Sequence, residues 1–144
     1  MTPAERKALA DSLTKAQLGV FDAMITADQR HGLDVMATLR DEGISDPDVL
    51  LAGLLHDAGK GATGVIPRVI HALGVAYGPL VPSVARLAPG MSASLERLAT
   101  HPERSAQLAI QAGCSERTAD LIRWQEAPRD PEFGERLRLA DDAN

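Results

Sequence analysis

The sequence predicts an all-α protein, seven or eight helices in one domain over residues 1–144. Three observations carry this. Apolar residues recur three or four apart along most of the chain, the spacing of one helix face. No segment alternates apolar and polar residues as a half-buried strand does. Aromatic residues make up only 3% (Phe21, Tyr77, Trp124 and Phe133), so the 44% apolar content is aliphatic, which suits packed helices better than a β-sandwich. A chain of 144 residues has single-domain length and can bury roughly 70% of its unfolded surface.

The first helix is expected over 3–17, with Leu9, Leu13 and Ala16 at helical spacing among good helix formers. The second runs over about 27–41, where His31, Val35 and Leu39 share a face, and Gly43 ends it. Asp46-Pro47 reads as an N-cap followed by proline at the first helical position. The run Val49-Leu50-Leu51-Ala52-Gly53-Leu54-Leu55 that follows has no polar face, so this helix belongs in the middle of the molecule. It stops at Ala58-Gly59, just after His56-Asp57. Short helices are expected at 65–73 and 81–87, separated by Gly74, Gly78, Pro79 and Pro82, and another at 92–99. Thr100 and Glu103 have capping-box spacing and predict a helix from Pro102 to about Ala112. Ser115 caps the next, and Asp130-Pro131 opens a last helix that ends near Asp141.

With 15 basic and 20 acidic residues the net charge is −5, which disfavours nucleic acid as a main partner. A single cysteine, Cys114, cannot form an internal disulfide and reads as a small buried residue. No stretch reaches the ~18 apolar residues of a membrane span, and the N-terminus lacks a basic-then-apolar signal. A cytoplasmic protein with no membrane partner is expected. The arginines Arg117, Arg123, Arg129, Arg136 and Arg138 read as solvated faces paired with nearby acids. Gly59-Lys60-Gly61 is not a P-loop: five residues rather than four separate Gly53 from Gly59, and no Ser or Thr follows the lysine.

The chemistry-bearing residues are few. Of four histidines, His31 lies on an apolar helix face, His56 precedes Asp57 at the end of the buried helix, and His101 stands at a helix start. Each has a plain structural reading: a satisfied core histidine, a helix C-terminus where His meets the dipole, a residue beside an N-cap. His71 reads as structural. Yet Asp57 closing a run of seven apolar residues is costly to bury unless it is paired or holds a cation. Imidazole is the commonest metal ligand near neutral pH, and a His-rich set favours Mn, Fe, Co, Ni or Zn over Mg or Ca.

In this order, His31, then Leu54-Leu55-His56-Asp57-Ala58-Gly59-Lys60, then His101-Pro102-Glu103, then Leu139-Ala140-Asp141, the chain resembles the HD superfamily of metal-dependent phosphohydrolases over about residues 20–144. The resemblance implies a helical core with one divalent ion, two being the alternative, and hydrolysis of a phosphate ester or anhydride by a metal-activated water. His31, His56, Asp57 and Asp141 match its metal ligands, with Asp142 next in line should the last helix be turned by one residue. Asp57 would also orient the water. Lys60 matches a lysine facing substrate phosphate, and His101 a histidine of the two-metal members. Those members carry a further histidine where this chain has Trp124-Gln125, so His101 and Gln125 are expected to hold water or substrate rather than a second ion. The implied partner is a small phosphorylated substrate or nucleotide, and homo-oligomerisation is left open. The alternatives are an HD module that binds metal or a phosphorylated ligand without turnover, in a sensing role, and a purely structural helical protein.

Overall fold

The computed structural model of the protein describes residues 1–61, 70 and 91–144. Among the described residues it has eight α-helices and no strand, as expected. These are α1 (Pro3–Ser12), α2 (Lys15–Asp22), α3 (Thr26–Asp41), α4 (Pro47–Leu55), α5 (Met91–Ala99), α6 (His101–Gln111), α7 (Glu116–Arg123) and α8 (Gly134–Asp142), with a 3-10 turn at Ala58–Lys60 after α4. The helices expected at 65–73 and 81–87, and His71, lie outside the described residues apart from Ile70.

Most boundaries follow local chemistry. The Asp46 carboxylate accepts the Asp48 amide at 2.9 Å, and the Ser115 hydroxyl accepts that of Thr118 at 3.0 Å, so these two of the expected N-caps are made. Gly43 takes φ +83° and closes α3: its amide bonds the Arg40 carbonyl while Ile44 reaches back to Leu39, the Schellman pattern that glycine favours.

Three boundaries differ. The helix expected over 3–17 is two helices, broken at Leu13. Thr14 turns extended there, its hydroxyl accepts the Gln17 amide, and Gln17 Oε1 accepts the Thr14 amide at 2.9 Å, a complete capping box that starts α2. Thr100 and Glu103, by contrast, form no box. Thr100 ends α5 and donates its hydroxyl to the Glu96 carbonyl at 2.8 Å, while Glu103 accepts from Arg123 and Gln107. Asp130 does not open α8 either. It accepts the amides of Glu132 and Phe133, which closes a turn, and the helix begins at Gly134.

The all-apolar α4 is central: Val49, Ala52, Leu54 and Leu55 are fully buried, and the helix packs against α3, α7 and α8. α6 packs on α7 and on the 3-10 turn. Two glycines permit these approaches. A Cβ on Gly32 of α3 would lie 2.4 Å from the Leu54 carbonyl oxygen, and one on Gly59 would lie 2.5 Å from the His101 carbonyl oxygen. The Gly59 amide is instead donated to the Ser105 hydroxyl at 2.8 Å. The first contact sets His31 beside the end of α4, and the second seats the 3-10 turn on the start of α6. None of the helices described is long and apolar enough to cross a membrane.

Candidate metal centre

Four elements deliver the polar side chains. α3 supplies His31, the end of α4 supplies His56 and Asp57, the start of α6 supplies His101, and the last turn of α8 supplies Asp141. The Nε2 atoms of His31 and His56 lie 2.8 and 3.2 Å from the same Asp141 oxygen. Their rings meet edge to face with centroids 5.1 Å apart. His31, His56 and Asp141 thus each offer one ligand atom within 4.8 Å of the other two, a group able to hold a metal ion. Asp142 is not needed, because the structure turns it to Arg138 at 2.6 Å.

Asp57 stands beside this group rather than within it. Its Oδ1 is 3.5 Å from His56 Nε2 and 3.5 Å from His101 Nε2. Its Oδ2 accepts from Lys60 Nζ at 2.6 Å. Lys60 therefore meets the buried carboxylate, and not the free carbonyls a helix-end lysine would seek.

The tautomers are set from behind. His56 Nδ1 donates to the Gly53 carbonyl at 2.9 Å, and His101 Nδ1 to the Leu98 carbonyl at 2.6 Å. In the neutral rings this leaves both Nε2 lone pairs turned towards Asp57, the arrangement by which a carbonyl orients a metal-binding imidazole. Gln125 Nε2 donates to His101 Nε2 at 3.0 Å, so that lone pair is already occupied. Three buried atoms have no hydrogen-bond partner: His56 Nε2, Asp57 Oδ1 and Gln125 Oε1. His56 and Asp57 are each 2% exposed, and leaving such atoms unsatisfied costs about 1–3 kcal/mol each. A cation between them would satisfy both a lone pair and a carboxylate oxygen. The donor set of imidazoles and carboxylates thus fits a metal ion.

Electrostatics support the same view. Burial opposes protonation of His56, but the carboxylates of Asp57 and Asp141 outweigh it and hold its pKa above the ordinary histidine value. Burial also works against charged Asp57 and Asp141. For Asp57 the neighbouring His56 and Lys60 prevail, for Asp141 the adjacent His31 and His56 rings, and both carboxyls stay below the usual carboxylate range. Burial pushes His101 down.

These directions give a pH profile for chelator-treated protein. The two depressed carboxylates contribute stability that is complete above their unfolded pKa of ~3.9 and is lost as pH falls below it. Raised His56 contributes stability that is lost as pH rises above ~6.5, and lowered His101 contributes stability that is lost as pH falls below ~6.5. The two losses fall on opposite sides of about pH 6.5, so melting temperature is expected to peak near that pH and to drop further below pH 4. A melting temperature that rises or falls steadily from pH 5 to 8 in scanning fluorimetry would contradict these assignments.

All seven sequence-selected residues, His31, His56, Asp57, Lys60, His101, Gln125 and Asp141, lie in one chain of contacts. Sequence reasoning gave no packing role to Gly32, Gly59 or Ser105, which hold the elements together. An isolated glycine inside a helical pattern, as Gly32 is, was the available signal of a close approach. Cys114 is buried as expected, with Gln17 Nε2 at 3.6 Å from its sulfur. No protein-family model matches this chain, and comparison with curated proteins and with solved structures likewise yields no match.

Proposed function

We propose that the protein is a metal-dependent phosphohydrolase of the HD type, acting on a phosphate ester or anhydride of a small metabolite or nucleotide. The observation that carries this is the unpartnered, fully buried pair of His56 Nε2 and Asp57 Oδ1 next to the His31–His56–Asp141 group. On this reading one ion, Mn, Fe, Co, Ni or Zn, is held by His31, His56, Asp57 and Asp141. When bound, such an ion supplies Lewis acidity towards a phosphoryl oxygen and lowers the pKa of a water. Asp57 would orient that water, its depressed pKa keeping it ionised as a hydrogen-bond acceptor. Lys60 moves its ammonium from Asp57 to a phosphate oxygen, a point charge for which lysine is well suited. Gln125 and His101 bound the site and present their remaining polar atoms to water or substrate.

A second reading, an HD module that binds metal or a phosphorylated ligand without turnover, is favoured by one contact. Gln125 occupies the His101 lone pair that a second ion would require. Elemental analysis of purified protein with a panel of phosphate esters and nucleotides separates the readings. Metal with turnover supports the enzyme, metal without turnover the sensing module, and absence of both metal and phosphate-ligand binding after reconstitution overturns both.

Lys60→Ala is expected to leave metal stoichiometry unchanged and to weaken phosphate-ligand binding by about 1.5–3 kcal/mol, tenfold to a hundredfold. It also lowers metal-free stability, since Asp57 loses its 2.6 Å partner. Phosphate-ligand affinity equal to wild type, measured by calorimetry, would remove Lys60 from the substrate site.

A further inference from the structure

Four of the five C-terminal arginines are matched by carboxylates. Arg117 pairs with Asp46 and Asp130, Arg123 with Glu103 and Asp120, Arg136 with Glu42, and Arg138 with Glu135 and Asp142. Several of these acids are remote in sequence, so the expected local pairing holds only in part. Arg129 differs. Its guanidinium carbon lies 3.2 Å from the centroid of the Trp124 ring, and among the described residues no carboxylate pairs with it.

This stack forms one wall of a cleft of about 410 Å³, lined also by Arg117, Asp120, Leu121 and Asp130. The volume suits a small ligand. Both acids in the wall are committed: Asp120 to Arg123, and Asp130 to Arg117 and two backbone amides. Arg117 uses Nε and Nη1 in its two pairs, which leaves its Nη2 outside them. The uncommitted charge of the cleft is therefore positive. A guanidinium held over an indole face by cation–π attraction still has N–H donors that match a carboxylate or phosphate two bonds at a time.

We propose that this cleft, between α7 and the segment joining it to α8, is an oxyanion-binding site in which Arg129, positioned by Trp124 and supported by Arg117, takes a phosphate or carboxylate group of a small molecule. The site is separate from the metal centre: neither Arg129 nor Arg117 belongs to the contacts around Asp57, whereas Trp124 adjoins Gln125 in sequence. It needs no metal.

Trp124 is the sole tryptophan of the chain, so intrinsic fluorescence reports on this stack directly. Chelator-treated protein is titrated with inorganic phosphate and, separately, with acetate, each against sodium chloride at matched ionic strength. A saturable emission change beyond the chloride control is expected with at least one of them, and the stronger responder identifies the preferred oxyanion. Arg129→Ala should weaken that binding about tenfold or more, while Lys60→Ala keeps it, since Lys60 belongs to the other site. No saturable change, a change that survives Arg129→Ala, or one abolished by Lys60→Ala would overturn the proposal. Should Arg129→Ala melt early, Arg129→Gln carries the same expectations. Calorimetric titration of wild type and variant checks that the optical change reports binding.

Discussion

Gly32→Ala is expected to destabilise the protein by about 2 kcal/mol, although the same change elsewhere in a helix stabilises by up to ~1 kcal/mol. The added methyl would sit 2.4 Å from the Leu54 carbonyl oxygen and 3.2 Å from its carbon. Those are backbone atoms of the most buried helix, so they cannot swing aside as a side chain would, and α3 must move off α4. Overpacking of this kind typically costs 1–3 kcal/mol. The displacement also draws His31 away from His56, two positions whose rings now meet at 5.1 Å. On the proposed reading, metal affinity falls by about tenfold or more, as it does when the groups that orient ligands are disturbed. Gly19→Ala provides the contrast, because nothing lies within 4 Å of a Cβ there, and it should be neutral or stabilising. Urea denaturation of both variants in chelator checks the opposite signs. A Gly32→Ala protein as stable as wild type would mean that the helices do not cross this closely.

Asp57→Ala and Asp141→Ala are both expected to abolish metal retention, yet they should differ sharply in metal-free stability. The Asp57 carboxylate is 2% exposed and lies against Lys60, His56 and His101. Its removal strands the ammonium of Lys60 and leaves a cavity, a loss of about 3 kcal/mol by comparison with other buried pairs broken on one side. Asp141 is 33% exposed, so solvent screens its contacts with His31 and His56, and its loss should cost about 1 kcal/mol or less in chelator. Metal content by elemental analysis and unfolding in chelator together test the pair. If Asp57→Ala keeps its metal while Asp141→Ala loses it, the ion is held by the His31–His56–Asp141 group alone and Asp57 is a structural charge. If both retain metal, the centre is not where we place it.

The locations of most described helices and the caps at Asp46, Ser115 and Gly43 were legible because they depend on nearest neighbours. The apolar run 49–55 has no polar face, so burial was its only stable outcome. Asp46, Ser115 and Gly43 act within a few residues of themselves and perform as their chemistry suggests. The Thr14–Gln17 box was equally local, but an unbroken helical spacing of Leu9, Leu13 and Ala16 masked it. Thr100–Glu103 had the same spacing and fails, because the preceding helix claims the threonine hydroxyl and a distant arginine claims the glutamate. A motif names the bond a residue is able to make. The competitors for that bond come from elsewhere in the chain.

The site divides along the same line. Its residue types were readable from the sequence, since an aspartate that ends a buried helix beside a histidine requires compensation whatever surrounds it. Which compensation it receives depends on contacts across long stretches of chain: Asp141 to His31 over 110 residues, Gln125 to His101 over 24, and Gly59 to Ser105 over 46. The stack of Arg129 on Trp124, where a carboxylate partner was expected, is likewise an outcome of how the segment after α7 folds back. Composition and spacing thus determined that the chain is helical and that Asp57 beside His56 needs compensation. Tertiary packing alone, through backbone approaches that only Gly32 and Gly59 permit, decided which of them meet, because a distance between remote residues is fixed by the whole core and by no local propensity.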